Sequence, residues 1–524
     1  MEYLMQITSL GHAGFMVELE KSVVIMDPWL SPFGAFDSSW FQYPRNHHML
    51  SEVQDRLAVR DKEFYLYISH EHKDHFDEFT LNNIDTSQIT FLIPKYRRTE
   101  LLDRIQNFNS KSLILFEDGK SISLEGCTVT IFVDDQELNR DSGILLESDK
   151  SSFLNINDCK LYDRIPWILD RWGRPDVFSC QFSGASWHPV CYQYDEKEYR
   201  RISRSKKFSK FTNVARVIAK VNPQYYLAAA GPPVFLDSNL MGINFQEDSP
   251  FPRAPEFLEY LNRYPKDDNI QCDELLPGEM LNVKSGVFKK DLDLRQRIES
   301  FQDYVYKYSK EYAEYFNRFQ KENFPTDPDK LFSDLIQILE AKIENFSLNH
   351  RITRPLYLGT TEIENDWIRI DFFSKKIEKT EEIYDENYYS IKVPGWQLSR
   401  AVSGRITWED MMLTFREIMN RKPDVYQTLV IGFVVMEVED VNHLCNYLLG
   451  LEQRTDRIVV EAGGNLYSVD KYCPHQGSDL SEGEIREERF LICPRHRWEY
   501  DLWTDGICIS SNETINAVIL EPDA

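Results

Sequence analysis

Phe64-Tyr65-Leu66-Tyr67-Ile68-Ser69-His70-Glu71-His72-Lys73-Asp74-His75 is the stretch on which the reading of this chain turns. An apolar, aromatic run with strand character delivers four potential metal ligands onto the loop that leaves it. His70 and His72, two apart, can point at one ion, while Asp74 and His75 can reach a second. Imidazole with carboxylate suits zinc, iron or manganese alike, so the loop predicts a site for one or two metal ions without naming them.

Around this loop, residues 1–290 alternate short β-rich runs with polar loops and a few helices. Ser22–Met26, Thr90–Pro94, Thr128–Val133, Ile144–Leu146 and Ser152–Ile156 are examples of the runs. That rhythm predicts an α/β domain with its sites on loops at strand ends. From about Asp291 the pattern changes. Ile298, Phe301, Val305, Tyr308, Tyr312, Tyr315 and Phe319 follow the 3-4 spacing of one long helix, read as core packing rather than a cofactor box. A second helix is expected from Lys330 to Asn345, strands at Leu356–Ile363 and Trp367–Phe373, and an amphipathic helix at Trp408–Asn420. Residues 291–429 therefore read as a helical and α+β middle region. From Val430 onward short strands and Gly-containing turns suggest a small all-β domain, residues 430–524.

Within that last domain stands Cys473-Pro474-His475, then 17 residues, then Cys493-Pro494-Arg495-His496. Paired C-x-H and C-x-x-H loops supply two thiolates for one iron and two imidazoles for the other, the requirement of a Rieske [2Fe–2S] cluster. A zinc knuckle is the competing reading, but zinc sites more often open with C-x2-C. The stretch closely resembles the Rieske domains of oxygenases and ferredoxins. The respiratory type carries an extra disulfide at positions that look like Ser478 and Arg495 here, so the resemblance implies the lower-potential, oxygenase type. Only 28 residues follow His496, so any oxygen chemistry must sit upstream.

The upstream loop resembles the metallo-β-lactamase superfamily, which implies an αββα sandwich. Gly11-His12-Ala13 and Asp27-Pro28-Trp29 match the opening strands of that fold, and Asp158 in Asn155-Ile156-Asn157-Asp158 occupies the place of its bridging carboxylate. The proposed ligand set is therefore His70, His72, Asp74, His75 and Asp158. Two family histidines are missing. Glu137, Asn139 and Asp141 lie where one would fall, and the sequence does not choose among them. The other is absent near Ala229–Pro233, where His188 is a candidate substitute. A site poor in histidine and leaning on carboxylate suits iron and oxygen better than zinc hydrolysis.

Both centres on one chain resemble the CMP-N-acetylneuraminate hydroxylase family, with the Rieske domain last instead of first. Ser183–Ser186, Ala230-Gly231-Pro232 and the segments from Ile406 to Asp410 and Arg421 to Tyr426 share in the likeness. The resemblance implies an O2-dependent monooxygenase in which a Rieske cluster, reduced by a ferredoxin or reductase, feeds one or two non-haem iron ions (zinc being possible). The substrate would be small and nucleotide-sugar-like, with an anionic group a further option. Shared architecture supports shared chemistry better than shared substrate. An N-oxygenase of a biosynthetic amine, or a zinc hydrolase with a redox-sensing Rieske domain, are the alternatives.

Composition sets the boundary conditions. In 524 residues, 85 acidic and 60 basic side chains give a formal charge of −25, with 42% hydrophobic and 28% charged residues. That is globular composition for several domains, and it argues against a nucleic-acid binder. No membrane or targeting segment is expected, and nine scattered cysteines suit a reducing, cytoplasmic setting without disulfides. Against the acidic balance, Arg200, Arg201, Arg204, Lys206, Lys207 and Lys210 form a basic cluster that could meet an anionic substrate or an acidic ferredoxin. Sequence leaves open whether the chain forms an oligomer.

Overall fold

The structure, a computed structural model, describes residues 5–184, 186–363 and 366–520; Ala185, within the Ser183–Ser186 stretch, lies outside them. Two compact units result. One comprises Met1–Asp135, Asn139–Ser186 and Arg200–Ala313, the other Gln136–Leu138, Trp187–Tyr199 and Glu314–Ala524.

The first unit is built on two mixed sheets. In one, eight strands run in the order Val287–Lys289, Met280–Asn282, Gln6–Gly11, Gly14–Glu18, Ser22–Met26, Glu63–Tyr67, Ile89–Pro94, Ser112–Phe116, the last four mutually parallel. In the other, seven run Gln271–Asp273, Tyr225–Ala229, Val177–Gln181, Ser152–Asn155, Asp141–Glu147, Cys127–Asp134, Lys120–Leu124. Their central strands are buried on both faces because both faces are covered. One core joins Val24, Leu66 and Phe91 of the first sheet to Ile131, Ile144 and Phe153 of the second, and takes in Val53 and Leu101 from helices Met49–Ala58 and Glu100–Ile105. A second core packs Phe178 and Tyr226 against Ile168, Phe211 and Phe257 of three helices. The result is the αββα sandwich expected of the N-terminal region, with the H-x-H-x-D-H loop leaving the carboxyl end of Glu63–Tyr67.

The second unit holds a five-stranded sheet, Lys376–Thr380, Trp367–Asp371, Leu356–Thr360, Tyr388–Val393, Ile418–Lys422, and two small sheets that carry the Cys/His loops. These are Arg457–Ala462, Asn465–Asp470, Val518–Leu520 and Glu484–Arg486, Phe490–Ile492, Glu499–Asp501, Ile507–Cys508.

Three local expectations change. The helix expected over Trp408–Asn420 spans only Trp408–Met412; Phe415 has φ +59, and Ile418–Lys422 is a strand paired with Tyr388–Val393. The long helix begins at Phe301, because Ile298 caps the preceding helix Leu292–Arg297. Strands do not resume at Val430. Thr428–Val435 and Val441–Glu452 are helices, and the first strand after them starts at Arg457. Seven of the eight residues from Thr428 to Val435 are buried, and a helix apolar all round reads like a buried strand because neither shows polar periodicity. Among the described residues no helix is long and apolar enough to cross a membrane.

Candidate metal centres

The N-terminal donors are assembled from three segments of the first unit, residues 12, 70–75 and 158. The H-x-H-x-D-H loop is pinned by its own backbone, with the amides of His75 and Phe76 donating to the His72 carbonyl, and by the fully buried Phe76. Arg140 clamps it from outside, bonding Glu71 at 2.5 Å and Glu100 at 3.0 Å. His12 arrives from the tight turn between Gln6–Gly11 and Gly14–Glu18, where Gly11 (φ +98) and His12 (φ +50) are both left-handed. A side chain at residue 11 would collide with Asn46 Nδ2 at 2.9 Å, so glycine is required there.

Donor atoms then fall into two overlapping groups, His12–Asp74–His75 and His70–His75–Asp158, each with its atoms within 4.8 Å of one another. The separations are 2.8 Å for His70 Nε2 to His72 Nδ1, 3.0 Å for His12 Nε2 to Asp74 Oδ2, and 3.3 Å for His75 Nε2 to Asp158 Oδ1. Donors about 2.1 Å from one ion stand about 3.0 Å apart in an octahedron and about 3.4 Å in a tetrahedron. The spacing fits metal coordination. So does the bonding, since His75 Nε2 and Asp158 Oδ1 are buried without a hydrogen bond.

Outer partners fix the imidazole orientations. His75 Nδ1 contacts Asp27 Oδ2 at 2.9 Å, and His70 Nδ1 contacts Ser69 Oγ at 3.0 Å and Asp141 Oδ1 at 3.1 Å, leaving each Nε2 facing inward. Asp27 is itself held by the Ser69 amide and hydroxyl and by Asn157 Nδ2. Electrostatics follow from this crowding. Burial, helped by His75 and His72, lowers His70 to about 4, keeping its lone pair available at neutral pH. Burial opposes charge on His75, Asp74 and Asp158, but their mutual attraction outweighs it, raising the imidazolium's pKa and lowering those of both carboxylates. Asp141, buried beside Asp158, is pushed well above the carboxylate range.

Of the three candidates for the first missing histidine, Asp141 reaches the cluster, through His70. Asn139 is exposed, and Glu137, though buried, is in neither donor group. His188 belongs to the second unit, where Nε2 is 2.7 Å from the Tyr194 hydroxyl, which donates to Asp424. The segment lacking the other family histidine instead bonds His12, the Ala230 amide donating to its carbonyl at 3.0 Å. His12 is the residue that motif reading passed over as a donor. Its signal was a histidine flanked by glycine and alanine in a tight strand-to-strand turn. With it the cluster has four imidazoles, so scarcity of histidine no longer argues against zinc.

In the second unit the two Cys/His loops are near copies. Cys473 N–H donates to Ser478 O and Cys493 N–H to Trp498 O, at 2.9 and 2.8 Å. The fourth residue after each cysteine, Gly477 (φ +72) and Arg497 (φ +61), is left-handed and returns its amide to the cysteine carbonyl. The turns bring the His475 and His496 rings to 4.8 Å, and His475 stacks on Trp498 at 4.1 Å with an 11° tilt. Tyr500 Oη lies 3.0 Å from Cys473 Sγ. Burial raises both thiols, but bonds from Cys473, from the His496 and Arg495 amides and from Ser478 bring Cys493 down to about 7. Two adjacent sulfurs and two adjacent imidazoles are the donor set of a [2Fe–2S] cluster of Rieske type. None of the nine cysteines forms a disulfide.

Comparison with known proteins agrees for this region: residues 433–518 match the Rieske [2Fe-2S] domain family. Across nearly the whole chain, a protein of Mycolicibacterium smegmatis described as a Rieske 2Fe-2S iron-sulfur protein is 24% identical over 97% of this chain and 98% of its own. The cytidine monophosphate-N-acetylneuraminic acid hydroxylase of Xenopus laevis is 23% identical over 80% of this chain and 70% of its own. Among solved structures, CmlA, a diiron β-hydroxylase from Streptomyces venezuelae, covers 54% of each chain with 17% identity and a TM-score of 0.35.

Proposed function

We propose that this chain is an iron-dependent monooxygenase, with non-haem iron held by His70, His72, Asp74, His75 and Asp158, joined by His12. A Rieske cluster on Cys473, His475, Cys493 and His496 would be its electron source. The observation that carries the reading is a buried donor cluster at coordination spacing on a chain that also bears a Rieske domain. Redox delivery gives a hydrolytic zinc site no advantage, whereas an oxygenase requires it. When bound, the two metal groups supply dioxygen activation and the electrons that insertion of one oxygen atom consumes.

The chain's own residues do the positioning. Asp27 and Asp141 hold the rings of His75 and His70, and the low pKa of His70 keeps its ring neutral. Trp29 lies edge-on to His12 at 5.3 Å and Phe36 to His72 at 6.1 Å, apolar walls that restrict water beside the donors. A ferredoxin or reductase would supply electrons to a cluster held by Cys473, His475, Cys493 and His496. Similarity to the hydroxylase supports a small, nucleotide-sugar-like substrate accepting oxygen at a C–H bond.

Iron quantitation with EPR on anaerobically purified protein tests this. Non-cluster iron alongside the reduced Rieske signal is expected, and stoichiometric zinc with no extra iron would falsify the reading.

A further inference from the structure

The segment Ala230-Gly231-Pro232-Pro233, which lacks the family histidine, is held at both ends and from behind. At its start the Ala230 amide donates to the His12 carbonyl at 3.0 Å, and Ala230 itself is left-handed, with φ +46. Behind it lies the Phe182 ring, which a side chain at residue 231 would meet at 2.7 Å. At its end Val234–Phe235 pairs with Trp40–Phe41. Between these points the backbone offers little of its own, because neither proline has an N–H with which to join a sheet.

Arg253 supplies the missing donors. Its Nη1 bonds the Pro232 carbonyl at 2.6 Å and its Nη2 the Pro233 carbonyl at 2.9 Å. The guanidinium lies over Phe301 at 4.7 Å and Tyr43 at 5.3 Å, and has no ion pair among the described residues. Its Nε is buried without a hydrogen bond, so a cation here costs stability that an apolar side chain would not. The two carbonyl bonds are what the cation provides in return. Arg253 stands at the start of helix Ala254–Arg263, and Phe257 of that helix stacks on Phe182 at 5.6 Å. One helix therefore fixes both the cation and the ring behind Gly231.

We propose that Arg253 is a positioning residue of the N-terminal metal centre. By fixing the Pro232 and Pro233 carbonyls it holds the Ala230 amide on His12, and so sets where His12 Nε2 stands against Asp74, 3.0 Å away. A segment without a ligand of its own thereby becomes the support of another ligand. The proposal rests on the metal centre of the preceding reading, with His12 among its donors, and not on oxygen chemistry.

Two measurements on the full chain test it, neither of them turnover. Hydrogen exchange at the Ala230 and Gly231 amides should be faster in Arg253→Gln than in the parent, and unchanged exchange overturns the anchor. Zinc affinity, read by competition with a chelator, should fall about ten-fold in Arg253→Gln. Arg253→Lys should lose less, since it keeps the cation but cannot bond both carbonyls in the planar fork of a guanidinium. In a His12→Ala background Arg253→Gln should have no further effect, because the residue it positions is gone. Equal losses in both backgrounds would mean that Arg253 only supports the fold, and no loss from His12→Ala would leave nothing to position; either result overturns the proposal. Circular dichroism checks the folding of each variant, and Arg253→Lys carries the cycle if Arg253→Gln does not fold. A chain that shows this coupling with zinc but takes up no iron keeps the anchor and removes the oxygenase reading. Non-cluster iron without the coupling does the reverse.

Discussion

The two candidate metal centres differ in how much of the chain must fold to make them. The four proposed Rieske ligands come from two short loops 17 residues apart, each closed by its own pair of backbone bonds. The N-terminal donors come from residues 12, 70–75 and 158 and from both sheets, and their ring orientations depend on Asp27 and Asp141. A local site is specified by spacing. A composite site is specified by whatever brings distant strand ends together, and so by the whole sandwich.

The sharpest way to break that contrast is to remove one ligand from each centre. Cys473→Ser should abolish the Rieske absorption and EPR signals entirely while leaving N-terminal metal content unchanged. His70→Ala should abolish turnover and leave the Rieske signals intact. Loss of both signals from either single substitution would show that the centres are not independently built.

A smaller effect tests whether the composite site extends to His12. His12→Ala is expected to reduce metal affinity at the N-terminal site about ten-fold or more, measured by competition with a chelator, without altering the Rieske spectrum. Unchanged affinity would return the ligand set to the H-x-H-x-D-H loop and Asp158 alone.

The smallest expected effect concerns stability in the second unit. Glu417 is buried, receives a bond from Cys191 Sγ at 3.2 Å, and leaves Oε2 without a partner. Burial pushes its carboxyl up from 4.5 to about 8. A raised carboxyl contributes its stability below pH 4.5 and loses it as pH climbs toward about 8, by up to about 1.4 kcal/mol per pH unit. Thermal unfolding of Glu417→Gln should show a flatter profile across that window. An unchanged slope would mean that Glu417 does not carry the pH dependence.

Legibility in the sequence followed the same contrast. The Cys473–His496 pattern could be read directly, because ligand spacing within a hairpin loop is a local property. His70, His72, Asp74 and His75 were legible for the same reason, and Asp158 through the resemblance to the metallo-β-lactamase superfamily. His12 stood in view, but nothing in a glycine–histidine–alanine turn says that Asp74, 62 positions on, will lie 3.0 Å away. Asp27 stands in an opening-strand motif and Asp141 among three candidates for a missing histidine, and only their contacts reveal that they orient imidazoles. Thr428–Val435 misled in another way, since β-branched residues buried on every side carry no periodicity to separate helix from strand.

By itself the sequence determined the α/β class, the Rieske loops and most donors of the upstream cluster, because each depends on residues close together along the chain. The tertiary structure decided which distant groups complete that cluster, and which members of the basic run meet acids, Arg200 with Glu247, Arg204 with Asp248 and Lys207 with Glu256. Parallel strands bring their carboxyl ends to one edge from segments dozens of residues apart, and no local pattern encodes which side chains meet there.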